Sequence, residues 1–288
     1  MGRILKLTLV TYFVACVSCL QYKVVDLTHN HGKDSIYWPT HSGYERYIDH
    51  RGLYEGTDIW VASNTIKTTE HLGTHLDAPQ HFNKFSWTTH QIPIENLVGP
   101  GVIVNVKSKV VSNADYMVTK ADLEAWEDQY GKIPDGSIVI MNSGWHDRYP
   151  NKTLVFNTSN PNDTTSFHFP SWGKDAVSWL IAHRSIHVLG VDVPSLDYGQ
   201  SVDFPVHILI SKENIPGLEN VGYLDKIPES GTIISCAAMK IVDGSGSPVR
   251  VFALIPKFSD SNSAMKYHFS LFVLLCSLVS FKMLNDDF

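Results

Sequence analysis

Short runs of branched apolar residues, each with glycine, proline or asparagine close by, recur along the chain. Residues 24–27, 101–106, 137–141, 186–191 and 231–235 are rich in valine and isoleucine and too short for helices, so they predict strands, several buried on both faces. Two segments break that pattern with apolar residues at helical spacing. Residues 119–128 start at Thr119, an N-cap type, with Asp122 where a capping box usually has Glu or Gln; the other segment covers 173–183. Strands separated by helical segments predict an α/β fold. With no internal repeat, no dividing linker and no Gly-rich phosphate loop, the body reads as a single domain over residues 20–257.

Composition adds scale. Of 288 residues, 43% are hydrophobic and 18% charged, enough to bury one substantial core. The net charge of −6 comes from scattered residues, without a basic stripe, so nucleic acid is not an expected partner.

The two ends suggest where the domain works. Arg3 and Lys6, the apolar stretch 7–15 and the small residues Cys16, Ser18 and Cys19 follow the order of a secretory signal peptide over 1–19, which predicts a secreted or cell-surface protein. Three sequons begin at Asn151, Asn157 and Asn162 within a polar stretch, so a glycosylated loop is expected over 150–166. The tail, 258–288, has small residues 259–264 before an apolar run 269–281. That suits a lipid-anchor signal, and so membrane attachment, as well as it suits a plain amphipathic tail. Cys236 is the one cysteine of the body outside these ends, which leaves no intramolecular disulfide.

Candidate chemistry concentrates in residues 70–82. His71, His75, Asp77 and His81 fall within eleven positions, and Gly73 and Pro79 argue against one regular helix. Imidazole and carboxylate together suit a divalent ion such as zinc or manganese, and His71, His75 and Asp77 can close on one ion if Gly73 lets the backbone turn. Three protein ligands leave a position for water, whose pKa on such an ion falls to about 7, and His81 remains as a base. Without a cation, burying this group would cost on the order of several kcal/mol. Glu70, directly before His71, reads as a solvated neighbour. Taken alone, His207 reads as a strand-flanking histidine and Trp38 as packing.

The stretch from His71 to Phe82 resembles the defining motif of the cyclase-type metal hydrolases, a family that includes bacterial kynurenine formamidases and isatin hydrolases. The resemblance runs from about Val25 to Ile255 and implies a swivelling β/β/α fold and a homo-oligomer, dimer or tetramer. It implies that His71, His75 and Asp77 hold one metal ion. Asp77 would bridge to a second ion completed by His207 and Glu219, twelve residues apart, with His81 as proton acceptor. Trp38 matches a tryptophan that lines the substrate pocket, and Trp145 follows a strand, 139–144, that ends where such enzymes place pocket residues. The segment Gly190 to Asp197 resembles the family's Gly-x-Asp-x-x-Ser-x-Asp, in which Ser195 and Asp197 fit either a hydrogen-bonded turn or a direct role. The chain departs at Asn142-Ser143-Gly144, where kynurenine-type members carry Arg-Thr-Gly, so an anion-binding arginine is missing. The expected reaction is hydrolysis of an amide or formamide C–N bond in a small aromatic substrate, with zinc or manganese, one or two ions. N-formyl-L-kynurenine leads by resemblance and an isatin-like cyclic amide comes second; a secreted binding protein without turnover is the rival reading, against which the retained His81 argues.

Overall fold

The computed structural model describes residues 21–257, so the expected signal peptide and tail lie outside the described residues. Residues 24–254 form one compact unit that carries the site, while residues 21–23 and 255–257 belong to a terminal unit.

The strands in chain order are β1 (Gln21–Asp26), β2 (Glu45–Leu53), β3 (Trp60–Lys67), β4 (His75–Asp77), β5 (Val98–Asn105), β6 (Met117–Val118), β7 (Ser137–Asn142), β8 (Ser171–Trp172), β9 (Ile186–Val191), β10 (Gly217–Glu219), β11 (Thr232–Ser235), β12 (Gly246–Pro248) and β13 (Phe252–Lys257). The helices are α1 (Lys107–Val110), α2 (Lys120–Tyr130), α3 (Lys152–Val155), α4 (Lys174–His183) and α5 (Pro205–Lys212). Nine strands form one mixed sheet in the order β1-β13-β11-β5-β7-β9-β10-β4-β12. At its centre β5, β7, β9 and β10 run parallel, and helical crossovers connect each to the next. This is the α/β class that the alternation of strands and helices predicts.

Alternation explains the core. Val102, Val104, Val139, Met141, Leu189 and Val191 point to one face of the parallel strands, where they share a cluster with residues of α2, α4 and α5. Ile103, Ile138, Ile140 and Val188 point the other way and are buried too, as expected for strands covered on both faces. Thr119 caps α2: its hydroxyl accepts from the Asp122 N–H at 3.3 Å, and the Asp122 carboxylate accepts from the Thr119 N–H at 2.7 Å. Aspartate therefore completes the capping box in place of glutamate.

Two features depart from the sequence pattern. The β2–β3 hairpin is exposed along nearly its whole length, with Ile48, Trp60 and Ile66 more than half exposed, and its register shifts between Ile48 and His50. His207 sits on the first turn of α5 and not beside a strand. The sequon residues Asn151, Asn157 and Asn162 are all exposed, while Phe156 of the same stretch and Phe167 just after it are buried. Cys236 is buried and unpaired.

Candidate metal centre

Strand register assembles the centre. His75 and Asp77 are two apart on β4 and so share a face, and Glu219 of β10 pairs directly with His75. Asp77 is flanked by glycine on both neighbouring strands, Gly217 on β10 and Gly246 on β12. The second glycine makes room for His71, because a Cβ at Gly246 would lie 2.5 Å from the His71 Cε1. Between the first two histidines, Gly73 takes φ +63°, the left-handed conformation that lets the backbone turn.

Two of the histidines, His75 and His207, are aimed by a bond on the far side of the ring. The Gly73 carbonyl accepts from His75 Nδ1 at 2.9 Å, so His75 Nε2 faces Asp77 Oδ1 at 3.2 Å and Glu219 Oε2 at 3.4 Å. Asp197 accepts from His207 Nδ1 at 2.6 Å, which turns His207 Nε2 towards Glu219 Oε1 at 3.2 Å and Asp77 Oδ2 at 3.5 Å. His71 Nδ1 lies 2.6 Å from Asp77 Oδ1, and the His81 ring stacks on His71 with centroids 4.0 Å apart. All six expected centre residues, His71, His75, Asp77, His81, His207 and Glu219, therefore converge. Their grouping differs from the expectation. Donor atoms of His71, Asp77 and His81 lie within 4.8 Å of one another, as do those of His75, Asp77 and Glu219. His71 and His75 fall into different groups that share Asp77, and His81 stands among the donors as well as beside the cavity.

The electrostatics test whether these residues fit a metal. Burial alone would raise the Asp77 carboxyl, but the imidazoles of His71 and His81, with His207, hold it well below the usual carboxylate range. Glu219 is pushed up by burial and by the neighbouring Asp77. Burial works against a charged His75, yet Asp77 and Glu219 hold it up to about 9; burial pushes His81 down to about 4. Two carboxylates crowded in a buried site, with imidazoles drawn towards protonation beside them, make a centre short of positive charge. A divalent cation would supply that charge, and the mixed imidazole and carboxylate set fits such an ion.

The donors line a cavity of about 210 Å³ together with Ile36, Trp38, Phe82 and Phe204. Trp38 is where the sequence reading expects it, held edge-on by Phe167 at 5.3 Å and Phe156 at 6.2 Å. Trp145 is not: only 2% exposed, it packs in the core, its Nε1–H donates to the Val155 carbonyl at 2.8 Å, and it does not line the cavity. Ser143 and Trp145 both give backbone N–H bonds to buried Asp192, and this tight turn swings the indole inward. His41, Phe82 and Phe204 also line the cavity, beyond what the sequence reading expects. Phe82 closes the motif stretch and Phe204 lies three residues before His207, signals that could have found them; His41 is a lone histidine in a polar loop and offers none. Asp197 is hydrogen-bonded to His207 and is not among the residues that line the cavity.

The chain matches a known family. A family model described as "putative cyclase" matches residues 25–198. An isatin hydrolase of Roseibium aggregatum is 30% identical over 212 residues, 71% of this chain and 79% of the relative. A kynurenine formamidase of Salinibacter ruber is 26% identical over 190 residues, 66% and 78% of the two chains. Among solved structures, isatin hydrolase A from Ralstonia solanacearum superposes with a TM-score of 0.74 at 30% identity, covering 86% of this chain and 97% of that one.

Proposed function

Because the chain belongs to the cyclase family and is a hydrolase, we propose that it opens the C–N bond of a small, uncharged aromatic amide of the isatin kind, with a divalent ion held among His71, His75, Asp77, His207 and Glu219. The observation that carries this substrate class is the cavity wall. Trp38, Phe82 and Phe204 offer apolar faces on which a flat ring stacks, and no Lys or Arg is among the described lining residues. An amino-acid carboxylate would find no guanidinium or ammonium among these residues to offset its lost hydration. N-formyl-kynurenine, first by resemblance, is therefore the second reading, favoured by the similarity to a kynurenine formamidase.

A divalent cation bound by these donors polarises a carbonyl and acidifies water. The chain's own residues do the rest. Trp38 and Phe82 fix the plane of the ring. Asp197 keeps His207 aimed at the centre, and Gly73 does the same for His75. His81, held neutral at physiological pH by burial, is free to take a proton from attacking water and return it to the leaving nitrogen.

The test is hydrolysis of isatin and of N-formyl-kynurenine by the purified protein with manganese or zinc and a chelator control. Chelator-sensitive ring opening of isatin, faster than release of kynurenine, is expected. The opposite preference would overturn the substrate reading, and bound metal with no turnover of either would favour a binding protein.

A further inference from the structure

Behind His71, away from the cavity, a chain of hydrogen bonds ends on a carboxylate. His71 Nε2 lies 2.9 Å from the Ser245 hydroxyl, which donates to Glu70 Oε2 at 2.7 Å; the Ser245 backbone N–H donates to the same oxygen at 2.9 Å. A carboxylate only accepts, so the Ser245 proton points at Glu70 and the hydroxyl oxygen is left to accept. The proton between His71 and Ser245 must then sit on His71 Nε2. That polarity leaves Nδ1 as the atom His71 presents to the centre, where Asp77 Oδ1 is 2.6 Å away.

The surrounding backbone is built for this contact. Gly246 pairs with Asp77, and a Cβ on it would press into the His71 ring at 2.5 Å. The Ala78 N–H donates to the Ser245 carbonyl at 2.8 Å, tying the segment to the end of β4. A Cβ at Gly244 would meet Glu70 Oε1 at 3.1 Å, so the loop lies close over the carboxylate as well. Residues 244–246 fall outside the 25–198 span that the family model matches.

We infer that Glu70 and Ser245 are positioning residues for the metal centre: they place the ring proton of His71 on Nε2 and so dedicate Nδ1 to the ion. Glu70 is thus not the solvated neighbour that its place in the sequence suggests. The inference rests on the metal reading above but not on any substrate.

Two variants and two readouts test it. In Ser245→Ala the acceptor is gone; in Glu70→Gln the shape stays, but the amide can donate to Ser245 and reverse the chain, moving the His71 proton to Nδ1. Cobalt or manganese affinity, measured by chelator competition, should fall about 10- to 100-fold in both, with a changed cobalt absorption spectrum, as for lost outer partners of ligating histidines. Ser245→Thr should recover near wild-type affinity. In the metal-free protein, where Asp77 also accepts from Nδ1, ring ¹⁵N NMR should find His71 Nε2 protonated in the wild type and bare in both variants. Wild-type affinity in both variants would overturn the inference, and so would a wild-type His71 protonated only on Nδ1. The NMR result decides it even if the wild type binds no metal, the outcome that would sink the metal reading instead.

Discussion

Asp197 accepts the Nδ1 proton of His207 across 2.6 Å and, with the same carboxylate, two backbone N–H groups of the helix that carries that histidine, from Val206 at 2.9 Å and His207 at 3.0 Å. One side chain thus fixes both the start of α5 and the direction of its imidazole. Asp197→Asn keeps the size and an oxygen for the helix but can turn an N–H to the ring, so the tautomer is no longer imposed. Metal affinity should fall about 10- to 100-fold, read by titration against a chelator. Unchanged affinity would mean that His207 is not a ligand.

His81 stacks on His71 and lines the cavity, and its burial keeps it neutral. If it serves as the base, His81→Ala should lower kcat by about a hundredfold or more while metal stoichiometry stays near that of the wild type. Its donor atom also lies within 4.8 Å of those of His71 and Asp77. Loss of bound metal in the variant would therefore assign His81 to the ion and not to the proton.

The two tryptophans separate pocket from core. Trp38→Ala opens the apolar wall of the cavity, so KM should rise more than kcat falls. Trp145→Ala empties a site that is 2% exposed in the main core and strands the Val155 carbonyl. It should cost about 3–5 kcal/mol of stability with little change in KM for the protein that folds. Thermal melts beside steady-state kinetics tell them apart, and a KM effect in Trp145→Ala without a stability loss would return that residue to the pocket.

The strands that carry long β-branched runs, such as β7 and β9, were legible because burial on both faces leaves a continuous apolar signal. Thr119 and Asp122 announced α2 through their own hydrogen bonding. By contrast β4, β10 and β12 have three residues each; they exist because they pair with one another, which no periodicity records. The β2–β3 hairpin was missed for a related reason, since its register shift breaks the alternation that would have marked it. At the centre, a local motif could show only what lies close in sequence. His207 and Glu219 came from family resemblance. Ser245 lies 174 residues from the ring it supports, and a lone serine in a Gly-Ser turn carries no local mark of that contact.

Asp122 gives a pH dependence away from the centre. Burial would raise its carboxyl, but hydrogen bonds from Lys109, Thr119 and Tyr116 outweigh it and hold the group below its usual value. A depressed folded pKa means stability that is complete above the unfolded value, about 3.9, and lost as the pH falls through the folded one. Asp122→Asn removes that charge and weakens the α2 cap, so it should be less stable than the wild type by about 1–2 kcal/mol at neutral pH. The gap should hold steady down to about pH 4 and close below it. Denaturant titrations across an acid pH series measure this directly. A gap that persists undiminished below the folded pKa would show that Asp122 acts through its shape in the capping turn and not through its charge.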